Sequence, residues 1–211
     1  MRTGSLMNEY FLLALIWTAW CALHSLLASL SVQRRVAAWM GQGFRYYRLF
    51  YNVVAILTLV PVLVFSFSVE GEPFFDWAGG WRLPQLLMIV AGVLLFVLPL
   101  RQYDMARFLG LRQLRGDAGT PGLDAGGGLS TRGILGWCRH PWYAGALLLI
   151  WARELDGATV TVNTVLSLYL VLGAHLEERK LLAEFGEAYR DYQRRVPMFF
   201  PLPFRAGRKR A

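Results

Sequence analysis

Apolar runs long enough to cross a bilayer decide what this chain can become. They occupy residues 10–30, 49–69 and 83–100. A hydrocarbon core is crossed by roughly 20 helical residues, and inside it only a backbone hydrogen-bonded to itself is tolerated. Each run therefore reads as a transmembrane helix. Two shorter runs, 142–152 and 158–174, flank Arg153-Glu154-Leu155-Asp156-Gly157 and read as a tight helical hairpin. The expected fold class is all-α, a polytopic integral membrane protein. It has about five transmembrane helices, or four if the short hairpin is only partly inserted, plus a cytoplasmic amphipathic C-terminal helix. Pro61 is expected to kink the second helix rather than end it, because neighbours can satisfy the freed carbonyl. No internal repeat is visible, and residues 1–211 are expected to form one membrane domain. It comprises an N-terminal three-helix part (1–100), a cytoplasmic loop (101–132) and a C-terminal part (133–204).

Charge gives the orientation. Of 211 residues only 17% are charged, below the roughly 25% of a soluble domain, and the net charge is +8. Arg34, Arg35, Arg45 and Arg48 share a loop with no acidic residue. The stretch 101–132 is rich in arginine, and Arg205, Arg208, Lys209 and Arg210 form a basic tail. Glu70, Glu72 and Asp76 make the second loop acidic, as is the hairpin tip. By the positive-inside rule the N-terminus faces out and the C-terminus faces the cytoplasm, in the cell inner membrane. The basic excess reads as topology signal and contact with anionic lipid, not nucleic-acid binding. The long first run followed by Arg34-Arg35 does not fit a cleavable signal. Cys21 and Cys138 lack CxxC spacing, which argues against a disulfide framework or a zinc site.

Two short polar runs carry the chemistry. Arg139-His140-Pro141 opens a helix, with Pro141 at the favoured first position. The donors of that first turn, with Arg139, suit an anion, and Gly145 permits close approach of a backbone or ligand. Alternatively, Arg139 only marks the membrane boundary and His140 lies in the interface. Glu177-Glu178 end the last apolar run, where carboxylates are disfavoured both by nearby hydrocarbon and by the helix C-terminus. Carboxylates kept there hold an ammonium, a ribose hydroxyl pair or an arginine; the plain alternative is an ion pair with Arg179, Lys180 or Arg139. From Glu177 the pattern becomes an amphipathic helix with Leu181, Phe185, Tyr189 and Tyr192 on one face. Val196-Pro197 end it, and Phe199-Phe200-Pro201 suit the interface. Tyr189 and Tyr192 are either interface aromatics or a cover over a ligand. His24, His140 and His175 lie at segment ends, where a pair could ligate haem or metal, but they share no ligand spacing. The Gly126-Gly127-Gly128 run reads as a flexible linker, since no strand precedes it and no GKS/T follows.

Together these fragments resemble a known group. Gly133, Arg139-His140-Pro141-x-Tyr143-x-Gly145, Leu176-Glu177-Glu178-x-x-Leu181, Phe185-Gly186-x-x-Tyr189-x-x-Tyr192 and Val196-Pro197 span about residues 130–201. They look like the isoprenylcysteine carboxyl methyltransferase superfamily, which includes the bacterial phospholipid N-methyltransferases. His24-Ser25 and Phe108-Leu109-Gly110-Leu111-Arg112-Gln113 look most like its methanethiol S-methyltransferase branch. The resemblance implies a helical membrane enzyme that binds S-adenosyl-L-methionine at the cytoplasmic face. It would transfer a methyl group to a small thiol or lipophilic acceptor. By motif, His140, Pro141, Tyr143, Gly145, Glu177, Glu178 and Tyr189 would bind the cofactor. Arg139, His140, Tyr192 and Arg195 would be catalytic, with no metal. A thiol acceptor would need deprotonation, with His140, Tyr143 or an arginine assisting. Members often carry Tyr-Arg-Tyr where this chain has Leu135-Gly136-Trp137, which puts the acceptor pocket in question. Rival readings are carboxyl O-methylation of a prenylcysteine-like substrate, phospholipid N-methylation, and a non-enzymatic membrane accessory or haem-binding protein.

Overall fold

The computed structural model describes residues 2–69, 71–115, 129 and 131–200. Glu70, the Gly126–Gly128 run, Pro201 and the basic tail lie outside the described residues. The described chain is helical: α1 (Arg2–Ala28), α2 (Leu30–Met40), α3 (Tyr47–Ser68), α4 (Arg82–Val97), α5 (Met105–Leu109), α6 (Leu111–Leu114), α7 (Pro141–Trp151), α8 (Gly157–Phe185) and α9 (Glu187–Arg195), with short 3-10 turns between some of them. Among the described residues the only strand-like feature is an isolated pairing of Phe75 with Leu155. The all-α expectation is met.

Four helical stretches are long and apolar enough to cross a membrane: Leu6–Ala28, Leu30–Ser68, Gly79–Arg101 and Gly157–Phe185. The fifth apolar helix, α7, has 11 residues, which at 1.5 Å per residue is about 16 Å and half a hydrocarbon core. Pro61 lies inside α3, which continues to Ser68.

The chain divides into two compact units. The first comprises Met1–Ala78, Asp104–Pro121 and Arg153–Tyr169. Its core is Leu13, Trp17, Val62, Val69, Ala158 and Val162, from α1, α3 with the residue that follows it, and the start of α8. Indole N–H groups buried in this apolar interior need acceptors, and α3 supplies them: Trp17 Nε1 donates to Ser66 Oγ (2.9 Å) and Trp20 Nε1 to the Ala55 carbonyl (3.3 Å). Asp156 caps α8 by accepting from Thr159 N at 2.6 Å. The tip beside it is held by reciprocal backbone bonds of Leu155 with Phe75. The stretch after Arg101, expected to be a cytoplasmic loop, carries the short helices α5 and α6. Asp104 caps α5 by accepting from Arg107 N. Arg48 Nε and Asn52 Nδ2 of α3 donate to the carbonyls of Phe108 and Leu109.

The second unit comprises Gly79–Tyr103, Gly122–Ala152 and Leu170–Ala211. Here α4 and α7 lie antiparallel. Trp142 Nε1 donates to the Phe96 carbonyl at one end, and Gln85 Nε2 to the Ala152 carbonyl at the other. They approach through Gly92 and Gly145: a Cβ on Gly145 would stand 2.9 Å from the Gly92 carbonyl oxygen and 3.0 Å from the Phe96 ring. Small residues at such crossings let backbones meet where apolar side chains gain nothing from leaving lipid. Within this unit the close partner of α7 is thus α4.

One boundary needs correction. The last apolar helix does not end at Glu177-Glu178; α8 runs on to Phe185. The carboxylates therefore sit within a continuous helix, and the argument from its unfavourable C-terminal dipole falls away. The break comes at Gly186 (φ 54°, ψ −127°), a conformation open to glycine and strained for other residues. The separate amphipathic helix is α9.

Candidate functional site

The site is built from the bottom of the second unit upward. Leu135 and Cys138, both buried, anchor the turn that precedes α7. After α9 the chain returns alongside it: Arg139 N donates to the Pro197 carbonyl and His140 N to the Met198 carbonyl, each at 3.0 Å. The Cys138 thiol donates to the same Met198 carbonyl at 3.4 Å. Pro141 takes the first position of α7 as expected.

This pairing brings the two polar runs together. Arg139 Nε donates to Glu178 Oε1 at 2.6 Å, and His140 Nε2 lies 3.2 Å from that oxygen. Gln193 Nε2 donates to Glu178 Oε2 at 2.8 Å. The Arg139 guanidinium also donates to the carbonyls of Gln193 and Val196. Glu178 is 7% exposed and His140 5%, so a charged pair is held away from water, with both Glu178 oxygens accepting hydrogen bonds and Arg139 Nε and Nη1 donating them. A buried pair requires that satisfaction to persist. The sequence alternative of an Arg139 ion pair is what Glu178 has.

Glu177 is different. Its side chain is 40% exposed, and Tyr143 OH donates to Oε2 at 2.9 Å. His140 Nδ1 stands 3.8 Å from that oxygen. The imidazole therefore lies between two carboxylates, one sealed and one open. Its ring also approaches Tyr143 (5.4 Å between centroids) and Phe199 (6.2 Å).

The other expected residues separate into near and far. Tyr189 and Tyr192 are buried with Val196 against Leu129, Leu181, Leu182 and Phe185. Tyr192 OH donates to the Leu135 carbonyl at 2.5 Å, tying α9 to the turn before α7. Burial holds both phenols above their ordinary pKa range. Gly145 faces α4 and serves helix packing. Arg195 is exposed, with Nε donating to the Asp191 carbonyl of its own helix, and stands apart from the buried cluster.

Two neighbours were not anticipated. Gln193 holds Glu178. The Tyr103 ring lies tilted against Trp142, 4.4 Å between centroids, and its phenol is raised by burial and then by the Glu177 charge. Gln193 follows Tyr192 on α9 and was readable as a polar residue at the edge of the tyrosine face; nothing in the sequence marked Tyr103. The histidines have separate partners. His24 lies 2.6 Å from Tyr51 OH, and His175 Nδ1 lies 2.8 Å from the Val171 carbonyl of its own helix. Among the described residues no group of three His, Cys, Asp or Glu side chains is arranged to hold a metal.

A half-open carboxylate beside a phenol and an imidazole can accept hydrogen bonds from an ammonium or from hydroxyl groups. A family model described as NnrU protein matches residues 12–189. Curated relatives carry the name of the branch the sequence resembles. The methanethiol S-methyltransferase of Pseudomonas deceptionensis is 35% identical over 86 residues, 40% of this chain and 33% of that protein. Methanethiol S-methyltransferase 2 of Bradyrhizobium diazoefficiens is 40% identical over 67 residues, 31% of this chain and 26% of that protein. The methanethiol S-methyltransferase of Mycobacterium tuberculosis is 37% identical over 70 residues, 33% and 29% of the two chains. The matches span a third or less of these relatives' length. No solved structure matches the chain.

Proposed function

This chain belongs to the NnrU protein family, and from that premise we propose that it is a membrane methyltransferase using S-adenosyl-L-methionine, with a small thiol of the methanethiol type as acceptor. The relatives' names support the reaction class. The observation that carries the site is the split between Glu178, sealed by Arg139, His140 and Gln193, and Glu177, open beside Tyr143 and His140. When bound, S-adenosyl-L-methionine supplies an electrophilic methyl group on a sulfonium.

The chain's own residues divide the remaining work. Glu177 receives the cofactor's cationic or hydroxyl groups, oriented by the Tyr143 hydroxyl. Glu178 is a positioning residue that fixes the Arg139 guanidinium and the Nε2 side of His140. That leaves His140 Nδ1 on the Glu177 side, where an imidazole can take the proton of a thiol held within hydrogen-bond reach. Phe199, Tyr189 and Tyr192 exclude water, which strengthens each of these polar contacts.

The test is calorimetric titration of S-adenosylhomocysteine into detergent-purified protein. Glu177→Gln should weaken binding at least tenfold with little change in thermal stability. Affinity equal to wild type in that variant refutes the assignment of Glu177. Methanethiol, a prenylcysteine analogue and phosphatidylethanolamine, offered side by side, then separate the acceptors. A second reading, an accessory protein without methyl transfer, is favoured by one observation: Glu178 finds all its partners within the chain, as a purely structural carboxylate would. A well-folded wild type that binds no S-adenosylhomocysteine would establish it.

A further inference from the structure

The stretch Leu30–Ser68 has 39 residues, about 58 Å of helix at 1.5 Å per residue and nearly twice the thickness of a hydrocarbon core. Only α3, with 22 residues, has the length of one crossing. The preceding α2 and the turn at Gly41 must run elsewhere.

Its side chains say where. On α2, Val32, Val36 and Met40 recur at i, i+4 and i+8 on one face, with Ser31, Arg34 and Arg35 on the other. Val32 and Val36 are half-buried, whereas Arg34 and Arg35 are exposed and make no ion pair among the described residues. No acidic residue occurs from 30 to 48, while Arg45 and Arg48 add two further cations. Trp39 is 86% exposed, Met40 beside it is exposed, and so is Leu30 at the other end of the helix. A helix in water would not leave an indole so bare, and one crossing hydrocarbon would not carry two adjacent arginines without partners. A short amphipathic helix with basic residues on one side and a tryptophan at the boundary belongs in the headgroup layer.

We propose that α2 lies in the plane of the membrane and docks on an anionic phospholipid surface, with Trp39 inserted at the acyl boundary and Arg34 and Arg35 on lipid phosphates. The occupant is lipid because the apolar and cationic features lie along one helix that leads directly into a membrane-crossing one. The inference is independent of the methyltransferase reading.

The test uses the full chain in detergent, with phosphatidylglycerol or phosphatidylcholine added and bound lipid counted by native mass spectrometry. Wild type should retain phosphatidylglycerol in preference. Each arginine at an anionic surface contributes about fivefold, so Arg34→Gln/Arg35→Gln should lower retention at least tenfold. Equal retention of both lipids, or unchanged retention by the variant, overturns the proposal. So does displacement of the lipid from these arginines by a soluble oligonucleotide. Because the arginine variant could disturb topology, a second measurement reads Trp39 directly. In proteoliposomes, the fluorescence difference between wild type and Trp39→Phe should be quenched by lipid brominated near the headgroup. A difference signal insensitive to bromine overturns the in-plane placement.

Discussion

Glu178→Gln tests whether the buried cluster holds the second unit together. The substitution keeps the shape but removes the negative charge that faces Arg139, whose side chain is 9% exposed like that of Glu178. Removing one partner of a buried pair costs about 3–5 kcal/mol, because the other charge stays buried and uncompensated. Arg139 keeps its bonds to the Gln193 and Val196 carbonyls, and the new amide oxygen still accepts, so the lower end, about 3 kcal/mol, applies. In a chain of this size that is a fall of roughly 6–12 °C in Tm. The molecule supplies its own reporters: Cys21 and Cys138 are both buried, so a thiol-reactive dye becomes fluorescent only as the protein opens. Glu177→Gln, at a side chain 40% exposed, should cost no more than about 1 kcal/mol. The sharper control is Arg139→Leu/Glu178→Leu, which removes both charges and should recover part of the loss. A Glu178→Gln protein melting within 2 °C of wild type, or a double variant less stable than the sum of both singles, refutes the reasoning.

Three further outcomes follow from the same geometry. Burial pushes the Cys138 thiol up to about 11, so iodoacetamide should label it slowly at pH 8 and faster as pH approaches 11. Because the folded pKa lies above the ordinary 9.0, this thiol's contribution to stability is full below pH 9 and lost between there and about 11. Rapid labelling of the folded protein at pH 8 would contradict it. Gly145→Ala places a methyl 2.9 Å from the Gly92 carbonyl oxygen and should destabilise by about 1–3 kcal/mol, read as a lower Tm. Tyr192→Phe leaves the Leu135 carbonyl without the hydroxyl that now meets it at 2.5 Å; the cost should be about 1–3 kcal/mol, read by the same melt.

The helices themselves were legible, because apolar runs of spanning length admit little else. What hydropathy cannot read is where a helix stops after it leaves the apolar layer. Glu177-Glu178-Arg179-Lys180 end the hydrophobic run yet are good helix formers, so α8 continues where the hydropathy changes. Asp104 is a favoured cap for α5, but the polar, arginine-rich composition around it points to a loop. The crossing of Gly92 with Gly145 joins positions far apart in sequence and leaves no periodic trace. Arg139, His140, Tyr143, Glu177 and Glu178 were identified as a set. Gln193 becomes a partner only once the chain after α9 returns along Arg139 and His140, a tertiary fact that no local pattern contains.

The correction to α8 also explains how two adjacent carboxylates come to differ. At a helix terminus the chain could turn both toward the same cation. Within a continuous helix, successive residues point about 100° apart, so Glu177 and Glu178 cannot share one partner set. The geometry directs Glu178 to Arg139 and Gln193 and leaves Glu177 at the surface with Tyr143. His140 lies in the angle between them, one ring nitrogen toward each. Moving the pair by one residue along α8 would turn the open carboxylate inward and the sealed one out. A single alanine inserted before Glu177 still offers a glutamate to the sealed position but puts alanine at the open one, so it should abolish ligand binding at the pair, whereas Glu177→Asp should only weaken that binding. If Glu177→Asp instead lost stability as severely as Glu178→Gln, the division of labour between the two carboxylates would be wrong.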